Sequence, residues 1–112
     1  MLVVSCGQPN PNPIDVSKVD SVLIYYHFPD DTIAPPPRKL SLTSIKQFVD
    51  DWNKQYPADH CKYYPNYLLT IYQKDNTQRQ FRANGQNIKE KTDECFYFDD
   101  PEYFDKLWDK NK

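Results

Sequence analysis

Glycine is nearly absent from this 112-residue chain, which has only Gly7 and Gly85. Loops that cradle phosphate need several glycines to bring backbone N–H groups close to the anion, so P-loop and dinucleotide-binding chemistry is excluded. Histidine is just as scarce, with only His27 and His60, and three cysteines at scattered spacing complete no zinc-ligand pattern. No apolar run reaches the ~18 residues that a membrane-spanning helix requires. Fourteen basic and sixteen acidic residues give a net charge of −2 and are dispersed without blocks. No basic patch or arginine cluster of the kind that grips nucleic acid stands out. There is no internal repeat.

Aromatic side chains are abundant. Nine tyrosines, six phenylalanines and two tryptophans make up 15% of the chain. A domain this small buries a modest share of its surface, and each buried ring removes ~150–250 Å² from water. Aromatic bulk is therefore the expected source of the core.

Residues 7–20 read GQPNPNPIDVSKVD, with three prolines and no apolar periodicity. Such a stretch stays extended and resists packing, which suits a spacer ahead of a domain. Residues 19–28, VDSVLIYYHF, are β-branched and aromatic and predict a strand. Val22, Ile24, Tyr26 and Phe28 form its core face, and Ser21, Leu23, Tyr25 and His27 the other. Residues 29–39 hold four prolines and predict a loop with a polyproline II run at residues 35–37. Ser41 is the expected N-cap of the main helix, stapled by Leu40 and Ile45. Ile45, Phe48, Val49 and Trp52 make its apolar stripe, and Pro57 ends it near Tyr56.

Residues 58–65 form a loop. Residues 67–73 and 78–83 are expected to pair as a hairpin through a three-residue turn at Asp75-Asn76-Thr77. That register sets Ile71 opposite Phe81 and Leu69 opposite Ala83, which gathers the apolar side chains on one face. Asn84-Gly85 predicts a type I′ turn that brings Ile88 opposite Phe81. Residues 89–94 are charged and expected to be exposed, and residues 95–98 return to the core. Asp100 and Pro101 open a final short helix, with Tyr103, Phe104, Leu107 and Trp108 on its apolar side. The predicted fold class is α+β, an antiparallel sheet of about four strands with one main helix across a face, in the order β-α-β-β-β-α.

No reaction motif is present. His60-Cys61 lacks a third group to orient the histidine as a base. Asp30-Asp31, Asp50-Asp51 and Asp99-Asp100 are explained by capping and solvation, since glycosidase carboxylates must face one another across a substrate. Residues 75–86 lack the sixth-position glycine and terminal glutamate of an EF-hand loop. No catalytic residue, metal site or cofactor is expected. Tyr25, Tyr63, Tyr64, Tyr67 and Tyr72 exceed what a small core needs. They read either as a partner-binding surface, since tyrosine offers area and a polar tip at low entropic cost, or as a partly buried aromatic rim.

Val3-Val4-Ser5-Cys6, an aliphatic run, a small residue and a cysteine, resembles the lipobox of bacterial lipoproteins. The resemblance implies residues 1–5 as a signal-peptide remnant, lipidation of Cys6, residues 6–18 as the tether and residues 19–112 as a single globular domain. The implied address is the cell envelope, facing the periplasm or the exterior. The alternative is a cytoplasmic protein for which Met1 is the true start. Export leaves Cys61 and Cys95 as an even pair in a compartment where disulfides persist. They are then either joined, which adds ~3 kcal/mol, or two reduced thiols. The element order also resembles the cystatin-like arrangement, although the hairpin around Asp75 and Asn76 lacks the Gln-x-Val-x-Gly inhibitory motif. The expected function is a non-enzymatic binding or inhibitory module for a protein or glycan partner. The alternatives are a small hydrolase or a structural envelope component.

Overall fold

Alternation in the first strand, β1 (Val19–Tyr26), buries Val22 and Ile24 completely. The computed structural model describes residues 10–26, 35–57, 63–90 and 94–112. The remaining strands are β2 (Arg38–Lys39), β3 (Tyr67–Gln73), β4 (Gln78–Asn84), β5 (Asn87–Lys89) and β6 (Phe96–Tyr97), and the helices are α1 (Leu42–Asn53) and α2 (Tyr103–Asp109). All neighbours are antiparallel, in a six-stranded sheet ordered β2-β1-β3-β4-β5-β6. The fold is thus α+β, with six strands where about four were expected and with β2 inserted before α1. Strand β2 ends the proline-rich stretch expected to be loop. Two residues carry no periodicity, and what holds them is the pairing Leu23↔Lys39 and Ile24↔Arg38. The Arg38 guanidinium also lies 3.8 Å over the Trp108 ring.

The apolar stripe forms as the spacing requires. Ser41 Oγ accepts from the Ser44 N–H at 3.1 Å, and Ile45, Phe48, Val49 and Trp52 are all buried. The helix ends at Asn53 rather than near Tyr56. Trp52 packs edge-on against Phe81 of β4 at 5.0 Å and against Phe96 of β6 at 4.5 Å, so α1 lies across the sheet. α2 covers the other end of the same face through Trp108 on Tyr26 and Phe104 on Phe98. It begins at Tyr103, later than expected, because Asp100 and Pro101 open a turn in which Asp100 Oδ1 accepts from the Glu102 N–H. Asn111, 7% exposed, accepts from the Ser41 N–H and donates to Leu107 O, tying the end of α2 to the start of α1.

Both hairpins pair two residues away from the expected registers. Leu69 faces Phe81, Ile71 faces Arg79, and Ile88 faces Ala83. The first turn is three residues long as anticipated, but it occupies residues 74–76, with Asn76 at φ 70° as its left-handed residue. In the second, Gly85 at φ 62° is the first central residue of a two-residue turn, not the second. Glycine at that place belongs to a type II′ turn rather than I′. A two-residue slip preserves the side-chain alternation, so the apolar face survives both errors.

Residues 10–18, expected as free tether, are part of the folded unit. Asn10 is fully buried and its Nδ2 donates to Trp52 O at 2.8 Å. Trp52 Nε1 donates to Asn12 O at 2.8 Å, and Asn53 bonds both the N–H and the C=O of Ile14. Arg79 donates to the Asn12 and Pro13 carbonyls and pairs with Glu90 at 2.7 Å. Prolines deny this strap a hydrogen-bond ladder of its own, and its open carbonyls take side-chain donors from α1 and β4 instead. The same pair leaves the Glu90 side chain only 18% exposed, within a segment expected to lie in solvent.

Candidate binding face

With both helices on one side, the other side of the sheet is left without a covering helix among the described residues. It presents Ser21, Leu23 and Tyr25 from β1, Leu68, Thr70 and Tyr72 from β3, and Gln78, Gln80 and Arg82 from β4. The register continues it through Lys89 of β5 and Tyr97 of β6. Tyr25 and Tyr72 flank the Leu23–Thr70 pair from opposite ends. Burial, and then the neighbouring Tyr72 hydroxyl, raises the pKa of Tyr25.

A second cluster lies toward β6. Tyr63 Oη donates to Arg82 O at 2.8 Å, and Lys89 Nζ sits 5.2 Å over the Tyr63 ring. Burial raises the Tyr63 pKa, with Arg82 opposing and Tyr97 adding to the rise. Tyr97 is 42% exposed. Arg82 and Tyr97 were not among the expected partner-binding residues, although alternation with the apolar Phe81, Ala83 and Phe96 turns both outward.

Of the five tyrosines singled out from the sequence, Tyr25, Tyr63 and Tyr72 belong to this face. Tyr64 is 87% exposed. Tyr67 is a correction: it is 3% exposed, stacks on Tyr26 at 4.8 Å, and donates its hydroxyl to Asp105. Its position opposite Tyr26 on the covered side makes it a core residue. Cys95 is buried and disulfide-bonded, with its partner outside the described residues. Cys6, Cys61, His27 and His60 also lie outside them.

A concavity of about 610 Å³ runs between α1 and α2 and contains Asp51, Asp99 and Asp100. Asp51 accepts from Tyr103 Oη at 2.7 Å, and Asp100 pairs with Lys106 at 2.7 Å. That pairing, with the Glu102 N–H, holds the Asp100 carboxyl below its ordinary range, the opposite of what a general acid needs. Among the described residues no three His, Cys, Asp or Glu side chains gather as a metal site. No described helix is long and apolar enough to cross a membrane. Comparison with protein-family models, with curated proteins and with solved structures finds no match to this chain.

Proposed function

We propose that this chain is a non-enzymatic, lipid-anchored protein of the bacterial cell envelope whose uncovered sheet face binds a protein or glycan partner. The observation that carries this reading is the face itself: Tyr25, Tyr63, Tyr72 and Tyr97 set among Leu23, Leu68 and Arg82, with no described helix over them. Tyrosine and arginine are the residues that dominate recognition energetics.

The anchor is Cys6, on the strength of the lipobox-like motif. The disulfide of Cys95 is assigned to Cys61. Cys95 lies two residues before Tyr97, which places both on the same side of the strand. Tyr63, two residues after Cys61, packs against Lys89 on that side. This pairing leaves the Cys6 thiol for acylation. Because Asn10 is locked to Trp52, the leash from Cys6 spans four residues and at most about 14 Å. The domain then rides close to the bilayer instead of on a long tether.

Mass spectrometry of the protein purified from its host tests the anchor and the pairing together. The expected result is a diacylglyceryl group on Cys6 and a Cys61–Cys95 bridge. A retained Met1, or a bridge from Cys95 to Cys6, sinks the anchor. Capture from envelope extract tests the face: a specific partner should be lost with Tyr72→Ala and Tyr97→Ala. Equal recovery by both variants refutes the assignment of the face.

A further inference from the structure

At the end of this face where β1 finishes and β3 starts lies a groove of about 360 Å³, lined by Tyr25, Pro35, Pro65, Asn66, Leu68 and Arg82 among others. Its walls are largely tyrosine and proline rings, and among the described residues that line it one side chain, Arg82, is charged. No described carboxylate pairs with that guanidinium. Lys39, opposite Leu23, and Lys89, opposite Arg82, carry the same sign onto this face. Asp20, at the irregularity between Val19 and Ser21, lies with Ser21, Tyr72 and Gln78 at the far end of the strands from the groove. No other Asp or Glu occupies a described strand position. The helix layer differs, because α1 and α2 together hold Asp50, Asp51, Asp105 and Asp109 against Lys46 and Lys106. An acidic ligand is attracted to the sheet face and repelled from the helices.

We infer that the groove at Arg82 binds an acidic saccharide, one sugar of an anionic glycan seated against Tyr25 and the proline walls with its carboxylate on the guanidinium. This deepens the reading of the sheet face as a binding surface and rests on it. Three features select a sugar over an acidic peptide. The volume is at the small end of ligand sites, which run from ~300 to ~1,000 Å³, and it is too short for a helix or strand. Flat tyrosine and proline surfaces match the C–H face of a pyranose. Tyr25 and Asn66, which line the groove with Arg82, supply a hydroxyl and an amide for ring hydroxyls, while the planar arginine fork suits a carboxylate bidentately.

The test is an NMR titration of the full, disulfide-bonded chain with an oligomer of galacturonic acid. Parallel arms use a neutral galactose oligomer, poly-glutamate, and vesicles containing an anionic phospholipid. Saturable shifts are expected at Tyr25, Asn66 and Leu68 with the uronate alone. The neutral oligomer and the Arg82→Gln variant should each bind about tenfold more weakly or worse. Lys46→Gln, on the helix layer, should bind like the parent. The inference is overturned by uronate shifts that are absent or insensitive to Arg82→Gln, or by tighter binding of poly-glutamate or of vesicles at the same residues. A partner that is lost with Tyr72→Ala and Tyr97→Ala but kept by Arg82→Gln removes this inference and leaves the proposed function standing. Loss of uronate binding in Arg82→Gln, with Tyr72→Ala and Tyr97→Ala unaffected, confines the site to the groove.

Discussion

The two sides of the sheet are made by the same strands, one residue out of step, and they obey different constraints. In β4 the covered side carries Phe81 and Ala83, both fully buried, and the uncovered side carries Gln80 and Arg82, both exposed. On the covered side volume decides. Phe48, Trp52, Phe81, Phe96 and Phe104 interlock at ring distances of 4.5 to 6.5 Å, and a missing ring leaves a hole. On the uncovered side Thr70 is still buried, at 2% exposed. Its neighbours Leu23, Tyr25, Leu68 and Tyr72 are only partly buried, and a side chain there is limited by what it contacts rather than by a volume it must fill. A tyrosine on the covered side is thus structural, as Tyr67 is against Tyr26, Phe104 and Trp108, while one strand position away it is free to serve recognition.

Truncating one ring on each side is the sharpest way to break this contrast. Trp52→Ala, which loses a fully buried indole and its bond to Asn12, should destabilise the fold by ~3–5 kcal/mol. Tyr72→Ala on the uncovered side should change stability by ~0.5 kcal/mol or less. Urea unfolding measures both, and equal losses would mean that the uncovered side is packed against something. Arg79→Ala sharpens the picture of the strap. It removes the paired bonds to Glu90 and the donors to Asn12 and Pro13. A loss of ~1–3 kcal/mol is expected, with faster amide exchange at Ile14. Unchanged exchange there would show that Asn10, Trp52 and Asn53 hold the strap without Arg79.

The smallest effect is on pH. Burial first, and then the accepting carboxylates Asp105 and Asp51, raise the pKa values of Tyr67 and Tyr103 above the ordinary value of 10.0. A raised folded-state pKa means that the neutral phenol is favoured in the native protein. The stability it contributes is complete below about pH 10 and is lost as the pH rises further. Phenolate absorbance followed with circular dichroism should show these two groups ionising only as the structure unfolds. Tyr67→Phe and Tyr103→Phe should reduce the absorbance change that accompanies unfolding. Ionisation of either group in the intact fold would contradict its burial.

The α1 stripe and the Ser41 cap were readable because they depend on residues within two turns of one another. β3 was readable in extent for the same reason, since its alternation is local. The turns were placed one residue out. Whether Asn76 or Thr77, or Gly85 or Asn84, takes a given turn position depends on cross-strand pairing that no short window contains. The strap was misread because proline content predicts extension but does not reveal which carbonyls a distant Arg79, Trp52 or Asn53 will meet. Tyr67 was misread because β1 pairs with β3 across forty intervening residues, and that pairing sets it against Tyr26.

Local periodicity settled α1 and the longer strands β1, β3 and β4 and which of their side chains are apolar, since these follow from neighbours within a few residues, but it did not show the two-residue β2. The sixth strand position, the docking of residues 10–18 and the identity of the open face belong to the assembled sheet. Each depends on contacts between segments tens of residues apart, and those contacts exist only after the helices have chosen one side of the sheet and left the other open.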